Sequence, residues 1–182
     1  MKRYIAIATA LMVSIILNSC SVGKVLDTSS APDFSISDYQ SFDFYKTDLD
    51  ITEMPEYGKR VDWIKEAIKN KLSTMGIEQD TDNPDLLVNI GIVLEEKVQT
   101  RETDLRSDPP MYVGQRNYHW EVQEVPVGTY KEGTFTVDLV DKETDKMVWQ
   151  GISQGVITEN DEKAKKYIVE GVNNLMSEIE EK

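Results

Sequence analysis

The chain has 182 residues and is strongly acidic, with 33 aspartates and glutamates against 20 lysines and arginines and a formal net charge of −13 at pH 7. A surface of this charge opposes binding to nucleic acid and to anionic head groups, because both require basic patches. Cys20 is the only cysteine, which excludes a disulfide framework and a metal site built from several cysteines.

The first nineteen residues have the pattern of a secretion signal. Two cations precede an apolar run from Tyr4 to Leu17, and the small residue Ser19 follows shortly after it. As a helix, this run would rise roughly 20 Å, which is short of a hydrocarbon core of about 30 Å. We therefore expect residues 1–19 to be cleaved, rather than to anchor the chain as a transmembrane helix.

The residues around the expected cleavage point are those of a lipid-attachment signal. Leu17-Asn18-Ser19-Cys20 resembles the lipobox of bacterial lipoproteins. The resemblance implies a diacylglyceryl group on the Cys20 thiol, cleavage between Ser19 and Cys20, and acylation of the new amine, for example with palmitate. The alternative is an ordinary secretory signal with a chance cysteine, but a lone thiol in an oxidising compartment is a reactive liability that thioether formation removes.

The residues after the signal predict where the protein is located and how the rest of the chain is organised. Two or more acyl chains give stable membrane attachment, and Ser21 rather than aspartate after the cysteine implies the outer membrane, with the domain on its periplasmic face. Residues 20–33 contain glycine, serine and proline with little periodicity, so we expect a flexible tether with an end-to-end distance of roughly 20 Å. Residues 34–182 then form a single domain.

Two segments of this domain have helical periodicity. Apolar residues recur at three- and four-residue spacing from Val61 to Met75, and Gly76 follows as a helix stop. A second stripe runs from Ala164 to Ile179, with Asn160 or Asp161 as the N-cap.

Five segments show the alternation of apolar and polar residues that is typical of strands. They are Phe42–Phe44, Leu86–Leu94 with Gly91 as an expected bulge or close-approach site, Tyr118–Gln123, Thr134–Leu139 and Met147–Ile157. A polar hairpin turn at Asp141–Asp145 joins the last two strands. The order β-α-β-β-β-β-α predicts an α+β two-layer sandwich, with a mainly antiparallel sheet of about five strands and two helices on one face. Residues 99–117 are expected to form a long loop.

Several of these segments together resemble a known family. The chain is similar, in five segments, to the pattern of the bacterial lipoprotein family called domain of unknown function 4136. These segments are Gly133–Asp141, Lys146–Gly151, Phe42-Asp43-Phe44, Leu72–Gly76 and Asn83-Pro84-Asp85-Leu86. The resemblance covers nearly the whole chain after the signal. It implies an envelope lipoprotein with this α+β layout, and it implies no activity for any residue.

One motif invites a catalytic interpretation. Gly151-Ile152-Ser153-Gln154-Gly155 matches the G-x-S-x-G nucleophile elbow, which requires a strand, a strained turn and an immediate helix. Here the pattern lies inside a predicted strand, and the only histidine, His119, precedes the serine instead of following it. We therefore expect no enzymatic activity and a structural role for Ser153.

The remaining candidate sites are aromatic or acidic. Tyr112, Tyr118 and Trp120 flank the long loop and are the best candidates for ligand-facing aromatics, although tryptophans in such patterns more often pack in cores. The acidic turn at 141–145 lacks the glycine and glutamate of a calcium loop, and one histidine cannot build a zinc site. No cofactor or metal is expected.

Three classes of function follow from the sequence. The first is a non-enzymatic envelope lipoprotein, anchored through Cys20, that binds an unknown envelope protein or supports envelope assembly. The second is a binding module for a periplasmic glycan or other small ligand. The third, a hydrolase using Ser153, needs a base that the sequence does not supply.

Overall fold

The structure, a computed structural model, describes residues 23–45, 55–104 and 122–179 and places them in one mixed sheet with two helices on one face. The helices are α1 (Pro55–Thr74) and α2 (Asp161–Ser177), and residues Ile36–Asp38 form a short 3-10 turn. The strands of the described ranges are β1 (Gly23–Ser30), β2 (Ser41–Phe44), β3 (Glu78–Gln79), β4 (Leu86–Glu102), β5 (Glu124–Asp141) and β6 (Lys146–Val156), in the sheet order β1-β6-β5-β4-β2-β3.

The predicted α+β class and the two helices are confirmed, but the sheet is mixed and larger than expected. Strand β2 lies parallel to both β3 and β4, whereas β4, β5, β6 and β1 pair antiparallel. Helix α1 explains the parallel pairs, because a crossover helix returns the chain in its original direction. Strand β3 has two residues, which is too short for an alternating pattern to show.

The segment expected to be a tether forms an edge strand instead. Strand β1 pairs with β6 from Gly23 opposite Gly155 to Ser30 opposite Trp149, and the Ala31 N–H donates to the Val148 carbonyl at 2.8 Å. The domain therefore includes residues 23–33, which the sequence assigned to the tether. A bulge between Val25 and Asp27 breaks the alternation along β1, and this is why the sequence pattern did not reveal a strand.

The structure tests the third predicted strand and the long loop only at their ends. Residues 118–121 and 105–117 lie outside the described residues, while Val122 and Gln123 precede β5 and Gln99–Glu102 belong to β4. Strands β4 and β5 pair along their whole length, from Leu86 opposite Asp141 to Glu102 opposite Glu124. Their outer halves form a two-stranded ribbon that no other described element covers, so burial against the described residues imposes no alternation there.

Gly91 does not form the expected bulge. It lies opposite Thr136 in regular register, and the irregularity of this strand pair falls between Gln99 and Thr100. A Cβ atom at Gly91 would lie 3.7 Å from the Thr136 Cβ atom, which is ordinary van der Waals contact. The position therefore has neither a bulge nor a close approach.

The helix ends agree with the sequence. Helix α1 ends at Thr74, and Gly76 takes a left-handed φ of +85°, a conformation that glycine adopts without steric cost. At the start of α2 the Asn160 side chain accepts a hydrogen bond from the Lys163 N–H at 2.9 Å, which satisfies one of the unpaired donors of the first turn.

The core lies between the inner face of the sheet and the two helices. Its buried sheet residues include Phe42, Leu86, Val88, Ile90, Val137, Leu139 and Trp149, and its helix residues include Ile64, Ile68, Leu72, Val172, Leu175 and Met176. Both predicted amphipathic stripes thus face the sheet as expected. No helix in the described ranges has the length and apolar character needed to cross a membrane.

Candidate apolar binding site

Most residues singled out in the sequence cannot be placed in the fold. Cys20 and Ser19, and the three candidate aromatics Tyr112, Tyr118 and Trp120, lie outside the described residues, as does His119. The lipidation and cleavage sites therefore stay predictions from the sequence.

Ser153 lies in the interior of the sheet. It is 1% exposed, in the middle of β6, and its hydroxyl donates to the Lys24 carbonyl of β1 at 3.3 Å. Strand β6 continues to Val156 and α2 begins only at Asp161, so the strand–turn–helix of a nucleophile elbow is not formed here. The hydroxyl instead links two neighbouring strands.

An apolar pocket of about 120 Å³ lies between the two helices and one end of the sheet. The first turns of α1 contribute Val61 and Ile64, the sheet contributes Ile92 and Phe135, and α2 contributes Ala164 and Ile168. Strand β6 ends at Val156 and α2 begins at Asp161 close to this point, whereas β4 and β5 continue past it. The pocket opens at the surface where the β4–β5 ribbon leaves the body of the sheet.

Glycines form much of the pocket wall. Gly23 of β1, Gly133 of β5, Gly155 of β6 and Gly171 of α2 all line it. A Cβ atom at Gly23 would lie 3.6 Å from the Gly171 Cα atom, and one at Gly171 would lie 3.6 Å from Phe135 Cε1. The edge strand and α2 therefore approach each other through glycines, and larger residues at these positions would occupy the space.

Polar contacts hold the mouth of the pocket together. The Arg60 guanidinium donates to the Thr158 carbonyl at 2.7 Å and lies 5.4 Å from the centre of the Tyr57 ring. Nearby, Lys59 pairs with Asp161 at 2.6 Å, and this hydrogen bond lowers the pKa of the Asp161 carboxyl group. These contacts join the start of α1 to the start of α2 and fix the width of the opening.

The pocket is suited to binding an uncharged apolar group. An apolar cavity of about 150 Å³ is large enough to stay dry and bind benzene, so this one matches a single ring or a few methylenes. The described residues contain no group of three or more histidines, cysteines or acids positioned to hold a metal ion. The sequence analysis did not identify this site, because its walls come from six separate elements and carry no shared motif.

The acidic residues noted in the sequence lie at the opposite end of the sheet. The Asp85 carboxylate accepts the backbone N–H groups of Gln40 and Ser41 at 2.9 and 3.0 Å, and the former lowers its pKa most. Asp85 thus links the start of β2 to the start of β4. The Asn83-Pro84-Asp85-Leu86 motif therefore has a structural role in joining these two strands.

Asp141 organises the β5–β6 hairpin in a similar way. It accepts the Thr144 N–H at 2.7 Å and the Tyr39 hydroxyl at 3.0 Å, and the Thr144 bond is the main reason that its pKa is lowered. Burial and the bond to Asp141 raise the pKa of Tyr39 to about 12. At Asp145 the turn takes a left-handed φ of +53°, as expected for the predicted polar turn.

We expect Asp141→Asn to destabilise the protein at pH 7 and to have a much smaller effect near pH 3. The unfolded-state pKa of Asp141 is near 3.8, and its folded-state pKa is lower. The ionised carboxylate therefore stabilises the fold above pH 3.8, and this stabilisation is lost as the pH falls through the folded-state pKa. Urea unfolding of both proteins between pH 7 and 3 measures the difference. Asp62→Asn, on the exposed face of α1, removes the same charge as a control. A constant difference between Asp141→Asn and the parent at all pH values would contradict the assignment.

Together, the fold and the pocket define a class of protein, a two-layer α+β domain with an apolar pocket between its layers. The chain belongs to the family described as Domain of unknown function (DUF4136), whose model matches residues 25–179. The family resemblance predicted from the sequence is therefore confirmed. The matched range begins within β1, which agrees with the inclusion of this strand in the domain.

Several solved structures are similar to this chain at low sequence identity. A PDZ domain protein from Parabacteroides distasonis is 15% identical with a TM-score of 0.50, over 92% of this chain and 38% of that one. The chain therefore spans well under half of that protein. The PelC dodecamer from Paraburkholderia phytofirmans is 11% identical with a TM-score of 0.44, over 86% of this chain and 96% of that one.

A third structure is a minor lipoprotein from Acinetobacter baumannii, which is 10% identical with a TM-score of 0.34, over 78% of this chain and 89% of that one. No curated protein matches the chain.

Proposed function

We propose that the protein is a lipid-anchored envelope lipoprotein whose domain acts without catalysis, as a binding module for an apolar group held in the pocket. The observation that carries this proposal is the pocket itself, with its apolar walls and its four lining glycines. Ligand sites are typically concave, mostly apolar and furnished with a few polar groups, and this pocket has Arg60 and Ser153 among its lining residues.

The anchoring part of the proposal rests on the lipobox-like segment that ends at Cys20 and on the resemblance of the sequence to a family of bacterial lipoproteins. Outer-membrane sorting with the domain on the periplasmic face follows from Ser21 after the cysteine. The expected role without catalysis is supported by Ser153, because a hydroxyl that is 1% exposed and bonded to a strand carbonyl is not placed to attack a substrate.

The ligand can belong to either of the binding classes that the sequence allows. An envelope protein would supply one apolar side chain, and a small periplasmic molecule would supply a ring or a short aliphatic chain. Both fit a space of about 120 Å³. The mixed charges at the mouth, with Lys59 and Arg60 beside Asp161, favour recognition of the apolar part rather than of a charged group.

We expect the pocket to take up the phenyl ring of the uncharged fluorescent probe N-phenyl-1-naphthylamine, and Gly171→Leu to weaken this binding about tenfold, equivalent to about 1.4 kcal/mol. The leucine side chain would start 3.6 Å from Phe135 and fill the pocket. Titration of the probe with fluorescence detection measures the affinity, after circular dichroism has shown that the variant is folded.

The matched control is Gly91→Leu, which makes the same change on the uncovered face of the sheet. It should keep the affinity of the parent protein. Equal probe binding by Gly171→Leu and Gly91→Leu would show that the probe binds elsewhere and would overturn the assignment of the pocket.

A further inference from the structure

The edge strand β1 places the pocket at the anchored end of the domain. Gly23 is the first residue of β1 and also lines the pocket. Cys20 lies three residues earlier, and three residues span at most about 10 Å even when fully extended. If Cys20 carries the lipid, as proposed above, the rim of the pocket is held within about 10 Å of the bilayer surface.

A flexible tether of the expected length would have separated the domain from the membrane. Because β1 is hydrogen-bonded to β6 from Gly23 onward, residues 23–30 cannot act as such a tether. The start of α1 and the start of α2 lie at the same end of the domain as Gly23, because residues of all three elements line the pocket. The hydrogen-bonded Asp85 and Asp141 lie at the opposite end of the helix-covered part of the sheet, where Leu86 of β4 pairs with Asp141 of β5.

We infer that the pocket binds the chain of a single-chain amphiphile taken from the membrane, either a fatty acid or a lysophospholipid. This inference rests on the proposed anchoring and deepens the proposed binding function. Close to a bilayer, acyl chains are the most abundant apolar groups, and each buried methylene contributes about 0.8 kcal/mol.

The number of acyl chains in a lipid determines whether it suits a pocket of this size. A pocket of about 120 Å³ accepts only a few methylenes, so it cannot offset the withdrawal of two chains from the bilayer. A molecule with a single acyl chain leaves a membrane more readily than one with two chains, and the pocket needs to cover only the end of that chain. The charges at the mouth are mixed, with Lys59 and Arg60 near Asp161, so neither head group is excluded by charge.

The experiment supplies living cells with a fatty acid that carries a photoactivatable diazirine and an alkyne. After irradiation the native protein is purified, digested and analysed by mass spectrometry. We expect adducts that depend on irradiation in peptides covering residues 133–135 and 153–171. Their masses should correspond to one fatty acid or one lysophospholipid, and the mass tells these two sources apart.

The matched variants are again Gly171→Leu and Gly91→Leu. The first should reduce the pocket adducts about tenfold, and the second should leave them unchanged. Equal adducts in both variants, adducts with the mass of a diacyl phospholipid, or an adduct that joins a pocket peptide to the Cys20 peptide would each overturn the inference. The last result would show that the protein's own anchor occupies the pocket.

The same sample tests the anchoring separately. The fatty acid should also label the Cys20 peptide without irradiation, and Cys20→Ala should abolish that label. A missing label at Cys20 would overturn the anchor and with it the membrane origin of the ligand. A labelled Cys20 with no adducts in the pocket would overturn the inference while leaving the anchoring intact.

Discussion

Replacement of Gly151 by alanine is expected to lower the free energy of unfolding by about 3 kcal/mol, at the upper end of the usual cost of overpacking. A Cβ atom there would lie 2.9 Å from Trp149 Cζ2, closer still to Trp149 Cη2, and 2.8 Å from Leu175 Cδ1. Both neighbours are buried in the core, so neither can move into solvent to relieve the contact. Urea unfolding followed by circular dichroism measures the loss.

Gly91→Ala provides the control for this prediction. Its Cβ atom would lie in ordinary contact with Thr136 on the uncovered face of the sheet, so the same chemical change should alter stability by less than about 1 kcal/mol. If Gly151→Ala unfolds at the same urea concentration as Gly91→Ala, the explanation by close packing against Trp149 is wrong.

Trp149→Ala is expected to cost about 3–5 kcal/mol, as large aromatic truncations in cores do. Trp149 is 1% exposed and packs between the sheet and the helices. Its indole N–H is buried and finds no hydrogen-bond partner among the described residues, so the loss comes from apolar contacts. Trp149→Phe should cost markedly less, because it leaves a smaller cavity and removes the unpaired donor. Urea unfolding of both variants tests this order.

The two positions should also be coupled. Phenylalanine lacks the indole atoms Cζ2 and Cη2 that a Cβ atom at Gly151 would meet. Gly151→Ala should therefore cost at least about 1 kcal/mol less in the Trp149→Phe protein than in the parent. Additive effects in the double variant would show that the clash lies with Leu175 instead.

These contacts give the G-x-S-x-G segment a structural explanation. Gly151 makes room for the Trp149 ring, and the Ser153 hydroxyl bonds to the Lys24 carbonyl of the edge strand. The sequence placed this segment in a strand correctly, because its spacing from α2 was too long for a nucleophile elbow. It could not reveal the purpose of Gly151, since a close approach between side chains leaves no local pattern.

Periodicity predicted those elements that have one face in the core. Both helices and the inner parts of β4, β5 and β6 follow from the alternation of apolar and polar residues. Strand β1 has a bulge and lies at an edge, β3 has two residues, and no other described element covers the β4–β5 ribbon. In each of these three cases the apolar and polar residues show no regular alternation, and the sequence prediction was wrong or silent.

The candidate site was less predictable than the fold. The walls of the pocket come from α1, α2, β1 and three further strands, which are brought together only by the tertiary structure. Gly171, on the apolar side of a predicted helix, was the one local sign of an unusual position, since glycine in a helix interior costs roughly 1 kcal/mol relative to alanine. That sign does not distinguish a ligand pocket from close helix–sheet packing.

The pairing of β1 with β6 constrains how the chain reaches its native state. Residues 23–30 cannot complete the sheet until residues 146–156 are available to them, and closing so long a loop is entropically slow. Because a chain is synthesised from its amino terminus, the edge strand is made first and must wait for its partner until most of the polypeptide exists. This topology delays completion of the sheet until the last hairpin has been made.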